Sequence, residues 1–354
     1  MTVNKRKKII FFSLGILLLA GVVFLIIHLT TSPKPVRKFK VRTTQLTPIR
    51  NRIHIDIRRY EKDLFNLDLD NLPKEIERIS ARYPDELIQK GIWNDPQMMA
   101  RLKAYLEDPV IRDIYDEVMK VYPDLDELTV ELGDALTYYR YYYPDAEIPA
   151  FYTLVPGIDF TSPTVFGVDS NIFINLDMYL GPDYKYYSQY GIPKYISARY
   201  DGKYIAIDCF KKALVYKYLP QDTKFTLLEN MIYEGKKLYF TELMFPKRNE
   251  EDIIGYPGDK FDWAVKHQYD IWNYLVGKNE LFSKGEKELT AYIREAPFTK
   301  VFGNTSPGRL GIFIGWKIVQ SYMENNPDIT LQELMGNTDA RLILNQSQYK
   351  PSAR

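Results

Sequence analysis

The chain has 354 residues, a hydrophobic fraction of 45% and a formal net charge of +1, the values of a globular protein with a sizeable core. The balanced charge gives no argument for nucleic acid as a partner. The single cysteine, Cys209, excludes an intrachain disulfide. There are only three histidines, His28, His54 and His267, which argues against a histidine-based zinc site and against a Ser-His-Asp arrangement.

The N-terminus has the pattern of a membrane anchor. Residues 1–8 are a basic N-terminus, and an apolar run over residues 9–29 is about long enough to cross a bilayer. No A-x-A cleavage motif follows this run, which is longer than a usual signal-peptide core. We therefore expect an uncleaved transmembrane signal anchor, and a signal peptide cut at a poor site is the alternative. Val22 stands where a bacterial lipobox would carry its cysteine, so these residues offer no thiol for lipidation.

The orientation of this anchor is not decided by charge, because basic residues flank both of its ends. A short N-terminus inside and a large domain outside is the usual outcome for a signal anchor, and it would put the domain on the periplasmic side. Residues 30–50 combine three prolines with basic residues and are typical of a solvated linker. The folded domain is then expected over residues 51–354.

The first part of this domain, residues 51–143, is predicted to be mainly helical. Residues 53–57 alternate apolar and polar side chains, which indicates a short strand with His54 on its solvent side. Prolines at starts or breaks then mark the expected helical segments, which cover residues 72–90, 95–107, 109–122 and 124–143.

From residue 144 to 354 the pattern changes to a small sheet followed by helices. Residues 148–155 read as a strand, and residues 163–168 and 172–176 read as a hairpin around the turn at Gly167–Asn171. Residues 184–192 are expected to form a loop, and helices are expected over 204–219, 261–276 and 285–294. The predicted fold class is α+β, mainly α-helical, with a small sheet of three or four strands packed against helices.

The stretch over residues 225–245 predicts an amphipathic helix with Thr223 as its N-cap. Gly235 lies in the middle of the apolar face, where glycine costs roughly 1 kcal/mol relative to alanine. We therefore expect another backbone to pack against it. Glu234 lies at the edge of this face, so it is either a structural group with a partner or part of a site.

A second unusual helix is expected from residue 306 to about 324, with Ser306 as its cap and Pro307 in its first turn. Three glycines inside a helix are costly unless another backbone approaches them closely. We predict that this glycine stripe packs against the Gly235 region; its members are Gly308, Gly311 and Gly315. Residues 306–309 could also bind an anion at the helix N-terminus, and a simple cap with a surface arginine is the alternative.

Residues 230–235, NMIYEG, are similar to the helix that supplies the third metal ligand in gluzincin-type zinc peptidases. The upstream helix, residues 204–211, contains no histidine, and one carboxylate does not hold a catalytic zinc. We therefore expect a degenerate peptidase scaffold in which Glu234 is structural, with no metal, no cofactor and no catalytic residue. The plainer alternative is a helix-edge glutamate without such ancestry. Another hypothesis is a hydrolase that uses Glu234 with Glu242, about two turns away.

Tyrosines form two clusters, at residues 138–143 and 184–190. Exposed aromatic rings can stack on sugars or act as binding hot spots, so a glycan-binding module is a third hypothesis. The alternative is that these rings pack half-buried and spread their hydroxyl groups at the surface.

Several blocks occur together in one order: PKYISARYDGKYIAIDCFKKAL, LLENMIYEGKKLYFTELMFP, APFTKVFGNTSPGRLGIFIGWKIVQSYMENN and QSQYKP. With them, about residues 50–352 resemble the gliding motility-associated lipoprotein GldB family of Bacteroidetes. The resemblance implies an envelope-anchored protein needed for surface gliding, whose machinery overlaps the type IX secretion system. It also implies a fold similar to predicted zinc peptidases that have lost their histidines, and it transfers no catalytic residue.

Val22 departs from the family's lipobox cysteine, and the departure favours retention in the inner membrane over sorting to the outer membrane. Our leading hypothesis is a non-enzymatic, membrane-anchored envelope protein that assembles or stabilises gliding and secretion machinery through protein partners. The hydrolase and the glycan-binding module remain the alternatives.

Overall fold

The structure is a computed structural model that describes residues 52–220 and 226–352. The expected anchor over 9–29, the linker over 30–50 and the expected cap Thr223 lie outside these residues. Among the helices of the described residues, none combines the length and the apolar character that a bilayer span requires.

Residues 60–142 are mainly helical. Two of them begin at an aspartate followed by proline: Asp95 and Asp108 each accept hydrogen bonds from two backbone N–H groups, and the proline takes the first helical position. In chain order, these helices are Tyr60–Phe65, Leu72–Ser80, Pro96–Glu107, Pro109–Val121 and Asp126–Tyr142. The helix predicted over 72–90 therefore ends at Ser80.

The sheet has four strands in the described residues, in the spatial order β1, β2, β4, β3. Strands β1, β2 and β4 run parallel, and β3 runs antiparallel to β4. Their bounds are Ile57–Arg59 for β1, Ala150–Leu154 for β2, Val165–Val168 for β3 and Asn171–Asn175 for β4. The predicted hairpin and the predicted fold class, α+β and mainly α-helical, are confirmed.

The strand predicted over residues 53–57 was wrong in its bounds, since the observed strand β1 begins only at Ile57. Pairing begins at Ile57, opposite Phe151, and the strand continues to Arg59. The segment before it binds a helix instead, because the backbone N–H of Ile53 donates to Thr137 Oγ1 at 2.9 Å. His54 in this segment is exposed, as predicted.

The rest of the domain is again helical. The predicted loop at 184–192 contains a helix, which the burial of Tyr187 anchors, and the helix predicted over 261–276 is two helices that meet at His267. The remaining helices are Lys185–Gln189, Lys194–Ser197, Ile205–Asp208, Leu227–Met244, Glu250–Ile254, Gly258–Lys266, Gln268–Gly277, Glu286–Tyr292, Leu310–Asn325, Leu331–Gly336 and Ala340–Ser347. Short 3₁₀ turns are Ile92–Asn94, Leu176–Tyr179, Gly202–Tyr204, Leu214–Lys217, Glu280–Phe282 and Lys300–Phe302.

The helix Leu227–Met244, which we call the central helix, begins with a capping box. Thr226 Oγ1 accepts from the backbone N–H of Glu229 at 3.2 Å, and the Glu229 carboxylate accepts from the backbone N–H of Thr226 at 2.8 Å. Two N–H groups at the helix start are thereby satisfied. The predicted start at residue 225 is therefore two residues too early.

We expect Thr226→Ala to lower the free energy of unfolding by about 1 kcal/mol, because the variant loses the side-chain acceptor of this capping box. Urea denaturation of the purified full chain measures the change. Thr226→Ser keeps the hydroxyl and is expected to stay close to the wild type. Equal stability of all three proteins would show that the capping box does not set the start of the central helix.

The central helix packs along the helix Leu310–Asn325, which we call the glycine helix. A Cβ atom on Gly235 would lie 2.5 Å from the carbonyl carbon and oxygen of Gly315, and a Cβ atom on Gly315 would overlap the carbonyl group of Met231. Since real Cβ atoms do not approach backbone so closely, the two helices touch through bare backbone at this crossing. The expected contact between the Gly235 region and a glycine of the second helix is thus present, through Gly315.

The other two glycines of the predicted stripe face a different segment. A Cβ atom on Gly311 would lie 2.9 Å from the carbonyl oxygen of Tyr292, and one on Gly308 would overlap the carbonyl oxygen of Ala296. Gly308 also precedes the helix, which begins at Leu310. The prediction that these two glycines pack against the Gly235 region was therefore wrong, for two reasons. Gly308 lies before the helix, and Gly311 shares a face with Gly315 but lies one turn earlier, where Tyr292 takes the place of the central helix as its neighbour.

Ser306 does not cap the glycine helix. Its hydroxyl group donates to the carbonyl oxygen of Gly303 at 2.7 Å and accepts from the backbone N–H of Thr299 at 3.1 Å. Arg309 holds the N-cap position, with a left-handed backbone at φ 57° and ψ 32°. An arginine rarely adopts this conformation, which costs of the order of 1 kcal/mol.

Candidate functional site

Glu234 forms an ion pair one turn along its own helix. Its Oε2 lies 2.9 Å from Lys237 Nζ, which also donates to Tyr216 Oη at 2.9 Å. The Glu234 side chain is 25% exposed. The structure therefore joins Glu234 to Lys237 and Tyr216, and it gives this carboxylate the position of a paired group at the edge of the core.

Glu242 lies on the same helix but belongs to a different set of contacts. Its Oε2 accepts from Trp316 Nε1 at 2.9 Å and from Gln320 Nε2 at 2.8 Å, both on the glycine helix. Burial raises the pKa of Glu242 to about 7, although the two donors and the nearby Lys317 oppose this shift. The structure does not bring Glu242 and Glu234 to a shared partner.

The contacts of Glu242 continue into a buried network that joins three helices. Lys317, whose side chain is 3% exposed, donates to Glu250 Oε1 at 2.6 Å and to Gln320 Oε1 at 3.0 Å. Gln320 Nε2 also donates to Glu250 Oε1, at 2.9 Å. Such a network fixes the relative position of the central helix, the glycine helix and Glu250–Ile254, because each buried polar group depends on the others.

A second group of charged residues, which no local sequence pattern indicated, lies beside the upstream helix. We call it the basic cluster; its members are Arg199, Lys211, Lys212, Arg309, Asp208 and Glu295. Asp208 binds both lysines, with Lys212 Nζ at 2.7 Å from Oδ2 and Lys211 Nζ at 3.5 Å from Oδ1. Tyr179 Oη also donates to Asp208 Oδ2, at 2.8 Å.

The second carboxylate of the basic cluster is Glu295. It lies 2.8 Å from Arg199 Nη1 and 3.4 Å from Arg309 Nε. The residues around Glu295 and the residues around Asp208 act on each other electrostatically, because the positive charges of Arg309 and Arg199 lower the pKa of Lys211. Six charged side chains from distant parts of the sequence thus form one group.

The predicted helix over 204–219 is irregular at this cluster. After the α-helical turn Ile205–Asp208, residues Cys209–Ala213 form a π-helix, and a 3₁₀ turn follows. π-Helical turns are rare and occur frequently at functional sites. Cys209 is fully buried within this element and packs as a small core residue.

Burial would raise the pKa of Asp208, but Lys212 and Lys211 outweigh this effect and hold the pKa below its usual value. Burial lowers the pKa of Lys211 to about 8, and the neighbouring cations add to this effect. The described residues contain no group of three or more histidine, cysteine, aspartate or glutamate side chains that could hold a metal ion.

Each tyrosine cluster has members in the core and members nearer the surface. Tyr139, Tyr143 and Tyr187 are buried, and Tyr187 Oη donates to the carbonyl oxygen of Asp177 at 2.8 Å. The rings of Tyr143 and Tyr218 stack with centroids 3.9 Å apart. Burial therefore accounts for these three rings, whereas Tyr141 and Tyr190 are exposed.

The fold and these sites describe a mainly helical α+β protein whose core carries dense networks of paired charges. The chain matches the family described as Gliding motility protein GldB over residues 43–351, so it belongs to this family. No curated protein and no solved structure gives a significant match. Family membership relates the chain to gliding motility and to the membrane-associated lipoproteins of the cell envelope.

Proposed function

We propose that this protein is a non-catalytic, membrane-anchored envelope protein that assembles or stabilises gliding machinery and the associated type IX secretion machinery. The family match over residues 43–351 carries this proposal, because it extends over nearly the whole folded domain. The partners would be proteins of that machinery. The segment over 9–29 would anchor the domain on the periplasmic side, and Val22 in place of a lipobox cysteine favours the inner membrane.

A degenerate zinc-peptidase scaffold is part of the same proposal. A zinc-binding HExxH helix presents its two histidines at positions i and i+4 on one face. Asp208 and Lys212 have this spacing on the upstream helix and form an ion pair. An ammonium group donates hydrogen bonds but does not ligate zinc. Glu234, which would be the counterpart of the third ligand, is paired with Lys237. If these positions correspond to those of metal ligands, the ion pairs there support a scaffold without peptidase chemistry.

Complementation of a deletion strain tests this proposal. We expect Glu234→Ala to restore colony spreading, secretion and protein abundance to wild-type levels. The physical reason is that a partly exposed ion pair between positions i and i+3 contributes about 1 kcal/mol or less to stability, and Lys237 keeps Tyr216 Oη as a partner in the variant. Colony spreading, secreted protein and immunoblot abundance are measured in the same cultures.

Glu286→Ala is the matched control, because Glu286 also forms an ion pair on a helix but is 74% exposed. Loss of spreading at normal abundance for Glu234→Ala alone would contradict a non-catalytic role. Loss of abundance would instead assign Glu234 a larger structural contribution. Normal spreading and secretion in the deletion strain itself would overturn the proposed function.

A hydrolase centred on Glu242 is the second candidate function, and one observation favours it. The pKa of Glu242, raised to about 7 by burial, is the value that suits a general acid or base at neutral pH. However, Glu242 Oε2 already accepts from Trp316 and Gln320, which hold it within the buried network. A structural role for Glu242 is consistent with these contacts.

A further inference from the structure

We propose that the basic cluster binds a multivalent oxyanion, such as a phosphate group, at the junction of Arg199, Lys212 and Arg309. This inference goes beyond the proposed function and does not depend on it. The ligand class follows from the charge of the cluster, from the long contacts of the Arg309 guanidinium group and from the access of solvent to the edge of the cluster.

The charge of the cluster is not balanced by its own residues. Four cationic side chains surround two carboxylates, which leaves a formal excess of +2 (four minus two). Each carboxylate is shared by two cations, so neither carboxylate neutralises both of its partners. A half-buried excess of this kind attracts an anion more strongly than the same charges would in bulk water.

A helix C-terminus compensates part of this charge. Lys211 Nζ donates to the carbonyl oxygen of Ile253 at 3.0 Å, and Arg309 Nη2 lies 3.4 Å from the carbonyl oxygen of Ile254. These carbonyl groups end the helix Glu250–Ile254. A helix C-terminus carries only about half an elementary charge. The negative charge of Glu234 also acts on Arg309, but Glu234 is paired with Lys237, so an excess of positive charge remains.

Arg309 offers the donors for a planar oxyanion contact. Its side chain is only 14% exposed, yet its contacts with Glu295 and with the Ile254 carbonyl oxygen are both long, at 3.4 Å. Its guanidinium group also lies over the ring of Tyr256, with Cζ 5.4 Å from the ring centroid, a cation–π contact that helps to hold it in place. A guanidinium group has five N–H donors in a fork that matches phosphate oxygens.

Two segments of the cluster have rare backbone conformations, which are typical of binding sites. Arg309 keeps a left-handed conformation at φ 57°, which places its side chain at the start of the glycine helix. Lys211 and Lys212 belong to the π-helix Cys209–Ala213. Strained residues and π-helical turns both concentrate at functional sites, because a binding function maintains them against their conformational cost.

The cluster is open to solvent at one edge. The side chain of Lys212 is 38% exposed and that of Glu295 is 42% exposed, whereas Lys211 and Asp208 lie deeper. An anion arriving from solvent would therefore meet Lys212 first and the guanidinium groups behind it. It would not need to displace the buried Asp208 from its two lysines.

Isothermal titration of the full chain in detergent with inorganic phosphate, at constant ionic strength, tests this proposal. We expect saturable binding that Lys212→Gln and Arg309→Lys each weaken at least tenfold. The second variant keeps the charge but loses the planar fork. Lys247→Gln, which removes an exposed lysine outside the cluster, is expected to bind as the wild type does. Acetate, a monovalent oxyanion, should not compete.

A second readout does not depend on the stability of any variant. Acetic anhydride labels neutral amines, and mass spectrometry compares the rate at Lys211 and Lys212 with the rate at Lys247 in the wild-type chain. We expect phosphate to slow labelling of the two cluster lysines several-fold. The proposal would be overturned if phosphate left the labelling rates unchanged and the heats of the phosphate titration showed no saturation. Saturable binding that Lys212→Gln and Arg309→Lys retain as fully as the control Lys247→Gln would also overturn it.

Two phosphate compounds then distinguish the source of the ligand. A soluble short-chain phosphatidic acid and inorganic pyrophosphate are titrated in competition with inorganic phosphate. Stronger competition by the lipid supports the site and assigns it to a lipid headgroup; stronger competition by pyrophosphate supports the site and assigns it to a soluble phosphate. If neither compound displaces phosphate, the site is not a general phosphate site and the proposal fails.

Discussion

Gly315→Ala is expected to lower the free energy of unfolding by about 3 kcal/mol or more, the upper range for overpacking a core. The added Cβ atom would overlap the carbonyl group of Met231 on the central helix. A flexible side chain could move aside, but a helix backbone moves only if the whole crossing opens. A domain of this size has about 5–15 kcal/mol of stability, so the loss would be a large part of the total.

Urea denaturation of the full chain in detergent measures this loss, and protein abundance in cells reports its consequence. The matched control is Gly277→Ala, since a Cβ atom on Gly277 would meet nothing within 4 Å. Alanine is the better helix former, so this control is expected to be neutral or stabilising by up to about 1 kcal/mol. If Gly315→Ala were as stable as Gly277→Ala, the two helices would not depend on backbone contact.

The contact between Gly235 and Gly315 could be anticipated from the sequence because glycine inside a helix has a cost that needs a reason. The same argument placed Gly308 and Gly311 on one face with Gly315, and it failed for them. Helical periodicity identifies which residues share a face, but it reveals neither that the helix begins only at Leu310 nor that Tyr292, instead of the central helix, covers the turn at Gly311. The left-handed backbone of Arg309 delays that start, and no propensity scale would predict it for an arginine.

The candidate sites illustrate a second limit of sequence reasoning. Glu234 and Glu242 were identified by their places on an amphipathic face, and only the structure separates their roles. The partner of Glu234 is three residues away, whereas Trp316 is 74 residues from Glu242 and Gln320 is 78. Spacing rules apply within one element, so long-range pairings are not readable from them.

The basic cluster was missed for the same reason. Arg199, Glu295 and Arg309 come from three separate segments, and they join the lysines of the π-helix only after folding. The sequence drew attention to one member only, Arg309, which lies three residues after Ser306 in a segment that could bind an anion at a helix N-terminus. The residue was relevant, but the expected reason was wrong, because Ser306 stabilises the preceding loop and the charges come from elsewhere.

Glu242→Gln is expected to remove a loss of stability that the wild type shows as the pH rises. The pKa of Glu242 is about 7 in the folded protein, against 4.5 for an ordinary glutamate. Below pH 4.5 the carboxyl group is protonated in both the folded and the unfolded state, so it contributes nothing to the pH dependence of stability. Between pH 4.5 and 7 the unfolded chain releases the proton while the folded chain retains it, so stability falls by up to roughly 3 kcal/mol. Above pH 7 the loss is complete.

Glutamine resembles the protonated side chain, and its carbonyl oxygen can accept from Trp316 Nε1 and Gln320 Nε2 as Glu242 does. The charged groups that face this position are Lys317, which lowers its pKa, and Glu250, which raises it. We therefore expect the variant to match the wild type near pH 4.5 and to exceed its stability above pH 7. Urea denaturation at steps between pH 4.5 and 8 measures the difference.

Glu234→Gln, on the same helix, is the control and is expected to leave the pH-dependent loss in place. Identical pH profiles for Glu242→Gln and the wild type would show that the proton on Glu242 does not influence folding. The same variant also separates the two candidate functions in cells. Normal spreading with Glu242→Gln would be incompatible with a hydrolase that needs this carboxylate. Lost spreading from a protein that is more stable than the wild type could not be attributed to misfolding, and would favour chemistry at Glu242.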